Sequence, residues 1–372
     1  MASAKKSPNR SLNFFNIDLH VSVIEDIRYI FKKLGHYVDD WSLSGHTWVV
    51  GKKKAVIPLC DGTNFSGCCS REVCDLFYQT YKDKFAQYDG FIACYPVEYA
   101  LLYEKWNKPI IVVNCIRYEH PYTDNPTMWN YLTTMLQKFK AEGRLWYVSN
   151  NKGDQYYTKY FTGIEPTWIP SLCEYVEQDC SWSPASDPKY SKVLVSNRTD
   201  SKDMPADLIL PISHARDSDT ATSYSWKEVY KYRGVIHVPY HNGSMSIFEH
   251  YTGNLPMFIP SKKFARELIR KGEMFNDLTF YKLRNIPEPA DPDNPNNLSN
   301  SKNVDMWIDT CDIYDPENMP YCIQFDSYKH LKTLLKTVDT AEISSKMREF
   351  NKLRKQYVYS SWSNILREIA LW

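Results

Sequence analysis

Hydrophobic residues in the first half of the chain form short continuous runs that alternate with segments of helical spacing. Residues 90–94 (GFIAC) and 109–114 (PIIVVN) are almost wholly apolar, as in parallel strands covered on both faces. Between such runs, apolar residues recur every three or four positions, which is typical of amphipathic helices. The alternation predicts a doubly wound parallel sheet. The predicted strands are 12–19, 54–59, 90–94, 109–114 and 144–148, and the predicted helices are 24–34, 72–85, 98–106 and 127–141.

The same alternation begins again after a Pro-bearing break at residues 163–170 (GIEPTWIP). At 372 residues the chain is long enough for two α/β domains. We predict domains at 1–165 and 166–349, with a C-terminal helix at 350–372 that packs back on the first, and a hinge at 163–170. Strands are predicted at 192–196, 207–211, 234–238 and 256–259, helices at 226–232, 246–251, 263–271, 327–337 and 341–372, and a polar loop at 288–303.

Composition narrows the choice of protein class. Hydrophobic residues make up 43% and charged residues 24%, which is typical of a globular protein. A net charge of +1 provides no field of one sign, and this argues against nucleic acid as a partner. The N-terminus is polar and no apolar run approaches the roughly 18–20 residues of a membrane span, so we expect a cytoplasmic protein without one. The cysteines are then interpreted as reduced thiols, and the group Cys60, Cys68, Cys69 and Cys74 lacks a CxxC pair, so no metal site is predicted.

Candidate chemistry lies beyond the carboxyl ends of predicted strands, where open α/β sheets bind ligands. Arg198 and Lys202 follow the strand at 192–196, and both could reach one diphosphate. The alternative for this segment is a solvated turn.

The segment 234–261 is more specific. A strand is followed by a loop with Asn242-Gly243-Ser244 and by a helix that begins near Ser244–Ser246. Exposed amides at a helix N-terminus, next to a glycine, can bind a phosphate group. Glu249 lies one turn further, where its carboxylate could accept hydrogen bonds from ribose hydroxyls. The alternative is an ordinary capped surface helix.

This segment resembles the donor-site motif of GT-B glycosyltransferases, especially those of family 4. In that motif an acidic residue before a G-x-P turn holds the ribose, and the preceding helix start holds the diphosphate. Residues 88–113, 163–170 and 192–202 also resemble parts of this family, and the chain is similar in general to glycosyltransferases of large DNA viruses, which would imply a host cytoplasm. The resemblance implies an α/β GT-B fold, in which two Rossmann-like, doubly wound parallel-sheet domains face each other across a cleft. The donor-binding residues that it implies are Arg198, Lys202, His241, Gly243, Ser244, Met245, Ser246 and Glu249.

Two positions depart from the family pattern. Asn254 and Leu255 separate Gly253 from Pro256, so the turn is one residue longer than G-x-P. The family pairs two glutamates eight positions apart, whereas this chain has His241 at the first position and Glu249 at the second. His241 could replace the missing carboxylate by donating or accepting a hydrogen bond. The departure leaves the donor sugar and the anomeric outcome open.

The catalytic candidates are His20, Asp61 and His120, which follow predicted strands of the first half. In retaining relatives a histidine after a similar strand contacts the donor sugar, and His120 has such a position. Inverting relatives need a general base that accepts the proton of the acceptor hydroxyl, for which Asp61 and His20 are suited. A structural role remains the alternative for each residue.

The resemblance therefore predicts an enzyme that transfers a hexose or pentose from a nucleotide-diphosphate-sugar to a saccharide or glycan acceptor. The C-terminal half would bind the nucleotide sugar and the N-terminal half the acceptor, with neither a metal ion nor a cofactor. The sequence has no suitably placed Asp-x-Asp triplet, so Arg198, Lys202 and the helix N-terminus would stabilise the leaving diphosphate. The alternatives are a DNA-base glucosyltransferase, which the near-neutral charge disfavours, and a non-catalytic protein that binds a nucleotide or a sugar.

Overall fold

The computed structural model describes residues 10–57, 69–178, 181–195, 204–215, 225–241, 243–275 and 304–372. The chain divides into two compact units. The first contains the described residues up to Ser171 together with Tyr357–Trp372, and the second contains the described residues from Leu172 to Gln356.

The first unit is built on a six-stranded sheet with the order β2-β1-β3-β4-β5-β6, in which all neighbouring strands are parallel. Every residue of the third and fourth strands is buried, as their apolar sequences require. The strands are β1 (Asn13–Asp18), β2 (Tyr37–Ser42), β3 (Gly90–Ala93), β4 (Ile110–Asn114), β5 (Leu145–Ser149) and β6 (Thr167–Trp168), and the α-helices are α1 (Val21–Lys33), α2 (Arg71–Phe85), α3 (Pro126–Ala141) and α4 (Lys152–Thr162).

The second unit has a five-stranded parallel sheet with the order β11-β10-β9-β7-β8. Its last helix, α10, continues beyond the second unit, because its residues from Tyr357 onward belong to the first. The strands are β7 (Val193–Val195), β8 (Ile209–Pro211), β9 (Val235–Ile236), β10 (Met257–Pro260) and β11 (Ile323–Phe325), and the α-helices are α5 (Trp226–Val229), α6 (Met245–Thr252), α7 (Lys262–Arg270), α8 (Val304–Asp309), α9 (Tyr328–Thr337) and α10 (Thr340–Leu371).

The two sheets share one topology. In each, the second strand lies on one side of the first, and the third, fourth and fifth strands follow in order on its other side. The order therefore reverses between β1 and β3 in the first unit, and between β7 and β9 in the second. The predicted fold class, α/β with two Rossmann-like parallel sheets, is confirmed.

The structure differs from the predicted elements at several places. Residues 54–57 form no strand, and 58–59 lie outside the described residues; the strand beside β1 is instead β2. Its sequence YVDDWS is polar because β2 is an edge strand, so it lacks the apolar run on which the prediction depended. Residues 97–106 form a 3₁₀-helix where an α-helix was expected. Helices α4 and α8 and strands β6 and β11 were not predicted, and the loop expected at 288–303 lies outside the described residues.

The C-terminal part of α10 packs within the first unit. The ring of Trp362 meets Phe31 of α1 edge-on with centroids 5.2 Å apart. Near the end of the helix, Glu368 accepts a hydrogen bond from the indole of Trp146 at 2.9 Å. The earlier part of α10 belongs to the second unit, where the buried guanidinium of Arg354 donates to Asn318 and Thr252, each at 2.9 Å.

A glycine lies at the start of the third strand of each sheet, Gly90 as the first residue of β3 and Gly234 directly before β9, and in both cases its lack of a Cβ is required. A Cβ on Gly90 would lie 2.8 Å from the carbonyl oxygen of Pro109, the residue before β4. A Cβ on Gly234 would lie 2.7 Å from the carbonyl oxygen of Pro256, the residue before β10. These oxygens accept hydrogen bonds from the residues that follow the glycines, so they cannot move away without loss of strand pairing.

We therefore expect Gly90→Ala and Gly234→Ala each to lower the free energy of unfolding by about 1–3 kcal/mol, the usual cost of overpacking. Thermal unfolding midpoints measure the effect. Gly45→Ala is the matched control, because a Cβ there would meet nothing within 4 Å. Equal stability of all three variants would contradict the role of the close carbonyl contact.

Candidate functional site

Two of the predicted catalytic residues lie together in the first unit. His20 follows β1 and His120 follows β4, and Tyr95, which follows β3, lies against both. The ring of Tyr95 stacks on His120 with centroids 5.6 Å apart and meets His20 edge-on at 6.2 Å. The hydroxyl of Tyr95 is 3.1 Å from Nδ1 of His120. The carboxyl ends of three adjacent strands thus present one cluster, which we call the His20–Tyr95–His120 cluster.

Burial keeps this cluster neutral at physiological pH. Burial lowers the pKa of His20 to about 4, and it also lowers the pKa of His120. Burial raises the pKa of Tyr95 to about 12. Both imidazoles are therefore uncharged near pH 7 and can accept or donate a proton within hydrogen bonds.

A pair of carboxyl groups lies next to His20. The amide of Asn16 donates to Asp18 at 3.1 Å and to Asp40 at 2.9 Å, so it bridges the two acids. Burial, reinforced by repulsion from Asp40, raises the pKa of Asp18 well above its usual range. The hydroxyl of Ser42 also donates to Asp18, at 3.1 Å. Asp18 is the last residue of β1, two positions before His20.

The third catalytic candidate, Asp61, lies outside the described residues, as do the donor-site candidates Arg198 and Lys202. Their assignments stay predictions. Arg198 and Lys202 belong to the segment that follows β7 in the sequence. The other donor-site candidates belong to the segment that follows β9.

In the second unit, the segment after β9 holds His241, Gly243, Ser244 and Ser246 in one hydrogen-bonded turn. The backbone N–H of Gly243 lies 3.1 Å from Nδ1 of His241, and the carbonyl oxygen of Gly243 lies 3.0 Å from the same nitrogen. The hydroxyls of Ser244 and Ser246 are 2.9 Å apart. The imidazole is thereby held by the turn through Nδ1.

Helix α6 begins directly after this turn, at Met245. Helices α2, α3, α4, α7 and α9 each begin after a residue whose side chain accepts a hydrogen bond from the first turn. At α6 the N-cap residue Ser244 makes no such bond, since its hydroxyl pairs with Ser246. The first amides of α6 are therefore not capped by the N-cap side chain, which is the arrangement that an anion at a helix N-terminus uses.

Glu249, one turn further along α6, is buried, with only 4% of its surface exposed. Its carboxylate accepts a short hydrogen bond from the hydroxyl of Tyr175, and its backbone carbonyl accepts one from Tyr230 at 2.8 Å. The alternative of an ordinary capped surface helix is thus wrong for α6, because Glu249 is a buried carboxylate and Ser244 does not cap the helix. Tyr175 was not singled out from the sequence, because it lies in a short 3₁₀-helix at 174–178, far from the motif.

The turn after α6 holds the helix in place. Asn254 has a positive φ of 59°, and its side chain accepts a hydrogen bond from Asn351 of α10 at 2.9 Å. A Cβ on Gly253 would lie 2.2 Å from the ring of Tyr230, so this position requires glycine. The extra residue relative to G-x-P is therefore accommodated by the left-handed Asn254.

Two buried histidines beneath this segment were not predicted to be a pair. His237, which follows β9, and His250 of α6 lie with ring centroids 6.5 Å apart, and His250 also meets Trp226 edge-on at 5.9 Å. Neither ring makes a hydrogen bond to another residue in the described part of the chain. Burial lowers the pKa of His237 to about 4 and that of His250 to about 3.

No protein-family model matches the sequence, and no curated protein matches it either. Among solved structures, it is similar to the glycosyltransferase SnogD from Streptomyces nogalater, with 10% identity, a TM-score of 0.46, and coverage of 92% of this chain and 95% of that one. It is also similar to the glycotransferase of kitacinnamycin, with 11% identity, a TM-score of 0.43, and coverage of 97% and 100%. The spinosyn rhamnosyltransferase SpnG complexed with thymidine diphosphate matches at 10% identity, a TM-score of 0.38, and coverage of 91% and 96%.

None of these three is described as a family 4 or a viral protein, so those two parts of the resemblance gain no support from them. Within the described part of the chain, no three histidine, cysteine or acidic residues are grouped so that they could hold a metal ion. Over the same residues, no helix has the length and apolarity that a membrane crossing requires.

The buried histidine pair predicts an acid-sensitive second unit. A histidine whose pKa is lowered on folding stabilises the fold above its unfolded-state pKa of about 6.5, and that contribution is lost as the pH falls toward the folded-state value. Below about 6.5, each pH unit costs about 1.4 kcal/mol per buried histidine. Between pH 7.5 and pH 5.0, the free energy of unfolding should therefore fall by about 2 kcal/mol less in His250→Phe than in the wild type. Chemical denaturation at the two pH values measures this difference.

His330→Phe serves as the control, because His330 lies on the same unit with 39% of its side chain exposed. It leaves both buried histidines in place, so it should lose about as much stability as the wild type over this pH range. If His250→Phe also loses that much stability, the acid sensitivity arises elsewhere.

Proposed function

We propose that this protein is a glycosyltransferase that binds a nucleotide-diphosphate-sugar through its second unit. The observation that carries the proposal is the segment from His241 to Glu249. It joins a helix N-terminus without a capping side chain to a buried carboxylate one turn away. A nucleoside diphosphate presents the complementary groups. Its diphosphate is an anion that helix amides can bind, and its ribose hydroxyls are donors that a carboxylate can accept, so the segment is suited to such a ligand.

The diphosphate would bind at the turn before α6. There the amides of Met245 and Ser246 can donate to its oxygens. One hydroxyl of the Ser244–Ser246 pair can donate as well, since the other uses its proton within the pair. His241 supports this assignment. When Nδ1 accepts from the Gly243 amide, the ring carries a proton on Nε2, and this nitrogen can donate to a phosphate oxygen. When Nδ1 instead donates to the Gly243 carbonyl, Nε2 can donate only in the doubly protonated ring.

The ribose would bind through Glu249. Tyr175 donates to one oxygen of this carboxylate and so orients it on α6. An oriented carboxylate accepts hydrogen bonds from the two ribose hydroxyls, each of which is a charge-assisted bond. Arg198 and Lys202 are proposed to neutralise the diphosphate further, Arg198 as a forked cationic donor and Lys202 as a point charge.

The first unit is proposed to act on a saccharide acceptor. Its candidate groups are the His20–Tyr95–His120 cluster, where an uncharged imidazole can accept the proton of an acceptor hydroxyl. In the transfer, the acceptor oxygen bonds to the anomeric carbon, the bond from that carbon to the diphosphate breaks, and the hydroxyl proton passes to the base. Asp61 remains an alternative base. The location is proposed to be cytoplasmic.

A nucleotide screen tests the proposed function. Uridine, guanosine, adenosine, cytidine and thymidine diphosphates are added to the protein, and its thermal unfolding is followed. A ligand at one hundred times its Kd adds about 2.7 kcal/mol of stability, a shift that is easily detected. The absence of stabilisation by every nucleoside diphosphate would overturn the proposal.

The role of Glu249 is tested by Glu249→Gln, which keeps the shape of the side chain and an acceptor for Tyr175 but removes the charge. Because charge-assisted hydrogen bonds contribute about 1.5–3 kcal/mol and neutral ones about 0.5–1.5 kcal/mol, we expect the Kd of the bound nucleoside diphosphate to rise about tenfold. Calorimetric titration measures it. Glu267→Gln makes the same change at an exposed position of α7 and should bind like the wild type. Unchanged affinity in Glu249→Gln would remove Glu249 from the site.

Metal dependence is a separate prediction. If side chains and the N-terminus of α6 stabilise the leaving diphosphate, excess EDTA should leave the release of nucleoside diphosphate from the sugar donor largely intact. Chromatography of the released nucleotide, with and without EDTA, measures it. A complete requirement for an added divalent cation would contradict the metal-independent mechanism.

A further inference from the structure

The inference concerns Tyr95, which lies against both candidate catalytic histidines of the first unit. We propose that Tyr95 is a positioning residue that holds His120 as the tautomer with its proton on Nε2. His120 then meets a substrate as a hydrogen-bond donor and not as a base. The role toward a substrate rests on the proposed function, whereas the tautomer itself is a property of the protein alone.

Two contacts fix the ring of His120 at once. The ring planes of Tyr95 and His120 are inclined by only 26°, with centroids 5.6 Å apart, so the stack sets the plane of the imidazole. The Tyr95 hydroxyl lies 3.1 Å from Nδ1, so the hydrogen bond sets the rotation of the ring within that plane. His20 meets the Tyr95 ring edge-on as well, with centroids 6.2 Å apart. The tyrosine cannot turn without losing one of these contacts.

The direction of the hydrogen bond follows from the chemistry of the two groups. A phenol O–H is a stronger donor than an imidazole N–H, and an imidazole nitrogen is a stronger acceptor than a phenol oxygen. Burial raises the pKa of Tyr95 and lowers that of His120, so at neutral pH the phenol keeps its proton and the imidazole carries only one. A neutral imidazole whose Nδ1 accepts a hydrogen bond has its own proton on Nε2.

This assignment divides the work of the two histidines. With Nε2–H directed away from Tyr95, His120 can donate to a sugar hydroxyl or to an oxygen that gains negative charge. It has no lone pair left for a substrate proton. The general base of the first unit is then His20 or Asp61, the two residues that the sequence analysis named for this role, and His120 is left as a hydrogen-bond donor.

The tautomer is measured directly by NMR on protein with ¹⁵N-labelled histidine rings. The chain has nine histidines, and His120→Gln identifies the signals of His120 by their disappearance. In the wild type at pH 7.5, we expect Nδ1 of His120 at the shift of an unprotonated, hydrogen-bonded nitrogen and Nε2 at the shift of a protonated one. A wild-type spectrum with the proton on Nδ1 overturns the proposal, whatever the behaviour of any variant.

Tyr95→Phe keeps the stacked ring and removes only the hydroxyl. We expect the two nitrogen shifts of His120 to move toward each other, as the tautomers begin to exchange. Tyr103→Phe is the matched control, because it deletes a buried hydroxyl from a ring that stacks on Phe91 in the same unit, and it should leave the His120 signals unchanged. Unchanged His120 shifts in Tyr95→Phe would show that another group fixes the tautomer.

The catalytic consequence has its own readout. The sugar donor for this test carries the nucleoside diphosphate that the screen identifies. Tyr95→Phe should lower kcat about tenfold or more with little change in the KM for that sugar donor, because a hydrogen bond directed at developing charge acts mainly in the transition state. A changed tautomer with unchanged kcat would overturn the role assigned to His120. Failure of every nucleotide to bind would overturn the proposed function and leave the tautomer result standing.

Discussion

The candidate site of the first unit depends on one feature of its sheet, the reversal of strand order between β1 and β3. After β1 the chain turns toward β2, and after β3 it turns toward β4, so the two exits diverge at the carboxyl edge. A backbone hydrogen bond of 2.7 Å from Leu19 to the carbonyl of Tyr95 joins the two exits just beyond the strands. His20 and Tyr95 are therefore neighbours because the sheet topology places them there, although 75 residues separate them in the sequence.

The same position imposes an electrostatic constraint. Groups at the carboxyl edge of a fully covered parallel sheet lie in surroundings of low polarity, where the charged form of an isolated group is unfavourable. Asp18 responds with a raised pKa, and His20, His237 and His250 respond with lowered ones, and in each case burial is the first cause. The imidazoles of His20, His237 and His250 are thus uncharged at neutral pH. Hydrogen bonds and tautomers, and not ion pairs, then decide what these groups can do.

The sequence indicated the elements that have an apolar run or an apolar periodicity of their own. It missed elements that lack such a pattern and form because of their place in the fold. Strands β3 and β4 and helices α1 to α3 follow directly from their periodicity, as do the turn and helix from His241 to Glu249. Strand β2 was missed because an edge strand with DDW in its sequence carries no apolar run. Tyr95 follows a predicted strand, so the rule that selected His20 and His120 could have selected it, but tyrosine is also a common core residue. Tyr175 had no such signal, since only the fold brings it to Glu249.

The two units show how one scaffold takes different chemistry. Gly90 and Gly234 lie at the start of the third strand of each sheet and face the carbonyl of a proline that precedes the fourth. This shared device follows from the close approach of neighbouring strand starts, so it constrains the amino end of the sheet. The carboxyl end has no such constraint. Five residues after its glycine the first unit has Tyr95, whereas the second has Pro239, followed by His241 and the start of α6. Packing therefore fixes one edge of each sheet. The opposite edge is free to carry aromatic and imidazole groups in the first unit, and in the second unit the turn for which we propose anion binding.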